Sequence, residues 1–365
     1  MFLRAKIFGW LYRHLVKKLF FLFKPEAVHD FVGKVGWLAG KSKILKTLTQ
    51  VCFNYTHPAL SQNLLGISFK NPIGLAAGFD KDAKLTQILP EVGFGFEEIG
   101  SITAESYNGN TPPRLWRLPE HKTLRVNYGL KNFGAEKIHN FLKPLKFNFP
   151  LGISIAKTNS YKTSNVESGI KDYLFTYQKF SDLGDYFTIN ISCPNTCEEK
   201  PIFAESENLN LLLKKIFEIP KYKPVFIKLS PDLSDDRLNK ILSVCNNYEI
   251  DGFVCSNLTK NNPNHHVGKG GFSGKAVQAK ADTLITKVYK YYNGKKIIIG
   301  CGGVFTAQDA YKKIKLGASL IQLITGMIFQ GPQLIGEINA GLVTLLKQDG
   351  YSHIQEAVGA THKLT

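Results

Sequence analysis

The segment FTINISCPNT, residues 187–196, passes without a break from an apolar run into a knot of polar and turn-forming residues. The same succession recurs along the chain. Short apolar runs lie at 73–77, 94–99, 151–155, 187–191, 225–229, 252–255, 297–300 and 320–324. Amphipathic segments such as 166–183, 238–247 and 307–316 separate them. Apolar residues that run on rather than alternate predict strands buried on both faces, hence a parallel sheet. Eight such units in about 270 residues predict an α/β fold of the (β/α)8 TIM barrel type rather than an open sheet.

Polar and glycine residues gather where these runs end. Gly78 and Lys81 follow the first, Ser101 the second, and Ser192, Cys193 and Asn195 the fourth. Lys228 lies within the fifth, Ser256 and Asn257 end the sixth, Gly302 and Gly303 the seventh, and Thr325 and Gly326 the eighth. Barrel enzymes build their sites at the carboxyl ends of the strands. This distribution therefore predicts one site assembled around the whole rim.

Three motifs carry chemistry. GCGGV at 300–304 and TG at 325–326 fall after the seventh and eighth strands, where barrels commonly bind phosphate through backbone N–H groups. Tight turns that need positive φ would demand the same glycines. Lys81 in GLAAGFDKD and Lys228 in FIKLSPDLS are placed to aim positive charge at the barrel mouth. One lysine could stabilise a reduced flavin ring and the other hold a carboxylate, whereas an ordinary lysine is a solvated surface group. In NISCPNT, Asn190 and Asn195 offer carboxamides that can read an imide ring, with the Cys193 thiol between them able to move a proton. A buried cysteine in an Asn/Pro turn is the plainer alternative.

Composition narrows the partners. The 365 residues include 44% hydrophobic and 21% charged, enough for a barrel plus a small appendage. A net charge of +17 suits nucleic acid, an anionic membrane surface, or an anionic substrate with an anionic cofactor. No five basic residues are consecutive and lysine supplies most of the charge, so nucleic acid is not expected. Of the six cysteines only Cys193 and Cys197 are close, and their spacing is not C-x-x-C, so reduced thiols facing a cytosol are expected. The nine histidines show no metal-ligand spacing and no hydrolytic triad, so no metal is expected.

Residues 1–24 are apolar and aromatic but cut by Arg4, Lys6, Arg13, Lys17 and Lys18, with 19–23 the longest uncharged apolar run. A membrane span needs about 20 such residues, and no signal-peptide cleavage site follows. What remains is a basic amphipathic helix lying in a bilayer interface, or a terminal helix packed on its own domain. A second helix is predicted from Pro25, with Val28, Phe31, Val32 and Val35 on its apolar face. The expected organisation is an N-terminal extension and linker at 1–60, a barrel at 61–348 and a tail at 349–365.

GLAAGFDKD, EIGSIT, PRLWR, NISCPNT, KLSPDLS, GGFSG, GCGGV and TGMIFQGP stand in the order found in dihydroorotate dehydrogenases, and the chain resembles that family from about Pro25 to about Gly341. KPEAVHDF at 24–31 resembles the helical extension of its quinone-reducing branch. The resemblance implies FMN-dependent oxidation of dihydroorotate to orotate in pyrimidine synthesis, with ubiquinone or menaquinone reoxidising the flavin. It implies FMN contacts at Ala77, Gly78, Ser101, Ser154, Asn190, Lys228, Ser256, Gly274, Gly303, Ile324 and Thr325. Lys81, Asn127, Asn190, Asn195 and Asn257 would hold the substrate, Cys193 would be the catalytic base assisted by Lys228, and His29 and Arg117 would flank the quinone tunnel. A peripheral location on the cytoplasmic side of the cell (inner) membrane is implied as well.

Several positions depart from the family's pattern. Cys193 stands where the quinone branch has serine, Ser154 where it has asparagine, and Ile324 where it has tyrosine. Val126 occupies the place of a substrate-binding asparagine, with Asn127 displaced by one, and Leu258 that of a threonine. Two rival readings follow. One is a flavin barrel acting on another pyrimidine, as dihydrouridine synthases do, and the other is a non-catalytic flavin-binding membrane protein.

Overall fold

The structure, a computed structural model, describes residues 2–197, 201–221, 223–261 and 269–363. Met1, Leu364 and Thr365, at the outer limits of the expected extension and tail, lie outside the described residues. Among the described residues eight parallel strands close a barrel in sequence order. They are Ile73–Leu75, Phe96–Ile102, Leu151–Ile155, Tyr186–Asn190, Val225–Leu229, Gly252–Cys255, Ile297–Cys301 and Leu320–Leu323, and the last pairs with the first. Every apolar run read as a strand is one. Their ends differ by a few residues, so Ser101 lies inside the second strand rather than after it, and Thr325 opens the short helix Thr325–Gln330.

The barrel interior is layered. At its amino end Phe96, Tyr186, Phe226, Val254, Ile299 and Leu320 pack into one cluster with Phe69. Glycines make the room: a Cβ on Gly74 would stand 2.4 Å from the Phe96 ring, and one on Gly152 2.1 Å from Tyr186. Alternating large and absent side chains lets the rings fill the taper without strain. Above this floor the interior turns polar, with Glu98, Thr188, Lys228 and Gln322 all buried. Each of these four residues stands in a mostly apolar strand, and they meet only when the barrel closes.

Two small sheets complete the domain. The antiparallel pair Gln62–Leu64 and Ile67–Phe69 plugs the bottom, and Phe69 meets Phe96 edge-on at 5.4 Å. The end of the expected extension and linker thus holds the turn Pro58–Leu60, which leads directly into this plug. Over the mouth lies a three-stranded antiparallel sheet of Leu115–Leu118, Thr123–Val126 and Gly271–Gly274. Its strands are too short, and the third too distant in sequence, to be seen from periodicity.

The described part of the N-terminal extension is mostly helical. Phe2–Leu11 runs through a π-turn, Tyr12–Val16, into Lys17–Phe21, followed by Pro25–Lys41 and Lys43–Phe53. The last of these is additional to the two helices expected, and Ser42 caps it by accepting from the Leu45 N–H. The extension docks on the crown sheet through polar contacts. Glu26 takes the Arg114 backbone N–H at 2.7 Å and its guanidinium at 2.8 and 3.1 Å. Arg117 donates to the carbonyls of Phe20 (3.2 Å) and Phe23 (2.9 Å), at and just beyond the end of the helix Lys17–Phe21. At the other terminus Ile354 and Ala357 are fully buried, and His362 stacks on Tyr289 at 4.8 Å, so residues 349–363 pack on the barrel.

Candidate active site

A cavity of about 930 Å³ opens between the strand ends and the crown sheet. It is lined by Ala77, Gly78, Lys81, Ser101, Asn190, Cys193, Asn195, Lys228, Asn257, Ile324 and Thr325 among others, residues from six strand ends. A second space of about 510 Å³ continues it toward the seventh and eighth strands, where Ser256, Gly274, Gly302, Gly303, Thr325 and Gly326 form its walls. Gly274, Gly302 and Gly303 have φ of 77°, 118° and 73°. These are left-handed conformations that expose backbone rather than side chain to the space. A Cβ on Gly303 would run into Gln278 at 2.3 Å, so the loop is packed as tightly as it can be behind the cradle.

The walls of the larger cavity are held by a hydrogen-bonded chain. Asn190, the last residue of the fourth strand, donates to Ser101 Oγ at 2.8 Å, and that hydroxyl pairs with Ser154 Oγ at 2.7 Å. Asn190 Oδ1 in turn accepts from Ser192 and from Asn257 Nδ2. Asn257 also donates to Ser192 Oγ at 3.0 Å. Asn195 donates to the Val126 carbonyl at 3.0 Å, while its own Oδ1 is buried with no partner among the described residues. An orphaned buried acceptor costs about 1–3 kcal/mol and calls for a donor from a ligand.

Charge in the site is placed by burial. Lys228 is 3% exposed and reaches Glu98, with Thr188 and Gln322 donating to the other oxygen of the same carboxylate. Lys81 is carried by the turn after the first strand. That turn is fixed by Asp80, which accepts from the N–H groups of Lys84 and Leu85. The ammonium lies 4.0 Å over the Tyr128 ring, and burial pulls its pKa down to about 8. His29 bonds the Phe79 carbonyl at 2.9 Å, and burial followed by the nearby Lys81 charge lowers its pKa.

A third cavity, about 900 Å³, runs from the same mouth out between the N-terminal helices. It shares His29, Phe79, Leu115, Leu124 and Ile328 with the first, and Tyr12, Val16, Phe20, Val28, Val32 and Met327 give it an apolar lining. Arg117 stands on its wall with its guanidinium 4.5 Å over Phe21. The three spaces form a continuous path from a glycine cradle, past a ring-sized chamber with polar groups on one wall, to an apolar channel.

Most residues singled out from the sequence converge on this path. Two do not line it. Ser154 lies wholly buried behind Ser101. Asn127, expected to meet the substrate, has its Oδ1 held by Asn110 at 3.1 Å, and Val126 lines the cavity in its place. The reason is strand geometry: successive side chains alternate faces, so a shift of one residue moves a group from one side to the other. Glu98, Tyr128, Leu130 and Lys131 were not foreseen. Glu98 had a visible signal, an acid inside an apolar strand; the other three sit in a loop whose course only the tertiary structure reveals.

Comparison with known proteins agrees with this geometry. A family profile described as Dihydroorotate dehydrogenase matches residues 59–346. A dihydroorotate dehydrogenase (quinone) of Sulfurovum sp. (strain NBC37-1) is 38% identical over 357 residues, covering 95% of this chain and 98% of that protein. One of Nautilia profundicola is 36% identical over 350 residues, covering 95% and 96%. Among solved structures, that of DHODH from Eimeria tenella in complex with ferulenol superposes with a TM-score of 0.81 at 30% identity, covering 93% of this chain and 96% of that one.

Proposed function

The chain belongs to the dihydroorotate dehydrogenase family, and from that premise we propose that it oxidises dihydroorotate to orotate, delivering the electrons to a membrane quinone in pyrimidine biosynthesis. The observation that carries the reading is the convergence of Lys81, Asn190, Asn195, Asn257 and Cys193 on one chamber, with the Asn195 Oδ1 acceptor left open.

FMN suits the path. The glycine cradle offers backbone N–H groups to a phosphate, and the chamber beside Lys228 has the length for a ring system. Ala77, Gly78, Ser101, Asn190, Lys228, Ser256, Gly274, Gly303, Ile324 and Thr325 would hold it, with Ser154 acting through the Ser101 hydroxyl. Bound there, FMN supplies the acceptor for a hydride from the substrate and the donor for the quinone.

The residues divide the remaining work. Lys81 meets the substrate carboxylate with a positive charge. Asn190, Asn195 and Asn257 read the imide ring through both donors and acceptors, the open Asn195 oxygen taking a ring N–H. Cys193 Sγ accepts the ring proton released as the hydride leaves. Lys228 stabilises negative charge that builds up on the cofactor side of the chamber. Crown and N-terminal helices exclude water from this exchange.

The apolar channel leads from the chamber to a surface suited to lipid. Most of the large hydrophobic side chains exposed among the described residues, Trp10, Leu19, Leu22, Phe23, Phe31 and Ile44 among them, belong to the extension. Such a patch marks an interaction surface. No helix among the described residues is long and apolar enough to cross a membrane. The extension would thus lie in the interface of the cell membrane on its cytoplasmic side, with His29 and Arg117 beside the quinone's path. Anaerobic addition of dihydroorotate should bleach the bound flavin; an intact flavin that stays yellow would overturn the assignment.

A further inference from the structure

Lys131 lines the same chamber as Lys81. Its position is set by two rigid neighbours. Leu130 holds a left-handed φ of 66°, a costly conformation for a side chain larger than glycine. Asn132, 2% exposed, is locked on the other side, donating to Thr103 Oγ1 and the Leu130 carbonyl at 2.8 Å while accepting from the Gly134 N–H. The loop therefore holds Lys131 at the mouth instead of leaving it to wander in solvent.

Among the described residues neither lysine has a carboxylate in direct contact, none standing within 4.0 Å of either ammonium. The acids nearest Lys131 are engaged elsewhere: Glu26 with Arg114, Asp30 with His29, and Asp82 with the Phe133 N–H. The Lys131 charge disfavours protonation of Lys81, opposed by the charges of Asp82, Asp30 and Asp80. Around them Val126, Leu130 and Leu258 turn apolar side chains to the chamber. Two cations facing one largely apolar space are unfavourable until an anion joins them.

We propose that Lys131 is a second substrate-carboxylate residue, forming with Lys81 a two-lysine clamp that reads the acid group by charge where Val126 and Leu258 offer no hydrogen bond. The proposal rests on dihydroorotate being the substrate. Its consequence is specificity. The site distinguishes the acid from a neutral ester or amide of the same ring more by electrostatics than by amide contacts.

The test compares Lys131→Gln and Lys131→Arg in the full-length flavoprotein, with orotate binding measured by calorimetry beside turnover. Lys131→Gln should raise both KM for dihydroorotate and Kd for orotate about tenfold, a loss of about 1.4 kcal/mol, with kcat within about twofold and the methyl ester unaffected. Lys131→Arg should restore most of the affinity. Equal losses for acid and ester, or no change in orotate Kd, would overturn the clamp. A wild-type flavin not bleached by dihydroorotate overturns the substrate assignment instead, so the two failures are told apart.

Discussion

Lys228 Nζ stands 3.3 Å from Glu98 Oε1 across the barrel interior, both side chains essentially out of contact with water. Glu98 is also the acceptor for Thr188 and Gln322, so a single carboxylate organises the polar layer beneath the flavin-sized chamber. A buried pair of this kind gains little net stability, but removing one partner strands the other.

Glu98→Gln should therefore act on both stability and redox chemistry. It leaves Lys228 positive without compensation, at an expected cost of about 3 kcal/mol in thermal or denaturant unfolding. The same uncompensated charge would favour the reduced flavin and raise its midpoint potential by about 30 mV, equivalent to ~1.4 kcal/mol for two electrons. Spectroelectrochemistry on the variant decides whether Glu98 tunes the site or only holds it together.

Lys81 gives a pH signature. Burial is the main cause of its lowered pKa, with Lys131 acting in the same direction and Asp82, Asp30 and Asp80 opposing. Below about 8 the ammonium is charged and binds an anion; as pH rises through that value the charge is lost. The kcat/KM for dihydroorotate should fall on the alkaline side with an apparent pKa near that value. Lys81→Arg should carry the limb toward about pH 12, because guanidinium does not deprotonate in the accessible range. A limb that stays in place in the arginine variant rules Lys81 out as its origin.

Cys193 is expected to set the opposite limb. A free thiol titrates near about 8.5, far below an alcohol, so it is the easier base to ionise. Cys193→Ser should slow flavin reduction at neutral pH and move the rising limb upward by about one unit or more. Rapid-mixing measurement of flavin bleaching across pH provides the check, and an unmoved profile excludes Cys193 as the base.

The channel can be blocked without touching the chamber. Val32 lines the apolar cavity of about 900 Å³ but not the one that holds the strand-end residues. Val32→Trp should raise KM for quinone or lower quinone turnover about tenfold or more, while anaerobic flavin reduction by dihydroorotate keeps its rate. Equal slowing of both half-reactions would mean the channel is not the quinone's path.

The barrel was legible in the primary structure because its strands are buried on both faces. Each of the eight reads as a mostly apolar run, and polar or glycine residues gather at the ends of most of them. Local pattern carries that information directly. The motif NISCPNT likewise placed Asn190, Cys193 and Asn195 on one wall, since a strand end and the loop after it cannot diverge far.

What only the tertiary structure decided lies between segments distant in sequence. The partner of Lys228 comes from a strand 130 residues away, and the crown sheet pairs Gly271–Gly274 with Thr123–Val126. The face shown by residue 126 or 127 depends on that pairing, which is why Asn127 was expected in the chamber and Val126 is found there. Lys131 reads as an ordinary surface lysine until the fold brings it beside Lys81. Local hydrophobic periodicity specifies strands, but the encounter of charges is fixed only when the barrel closes and burial removes the water that would have screened them.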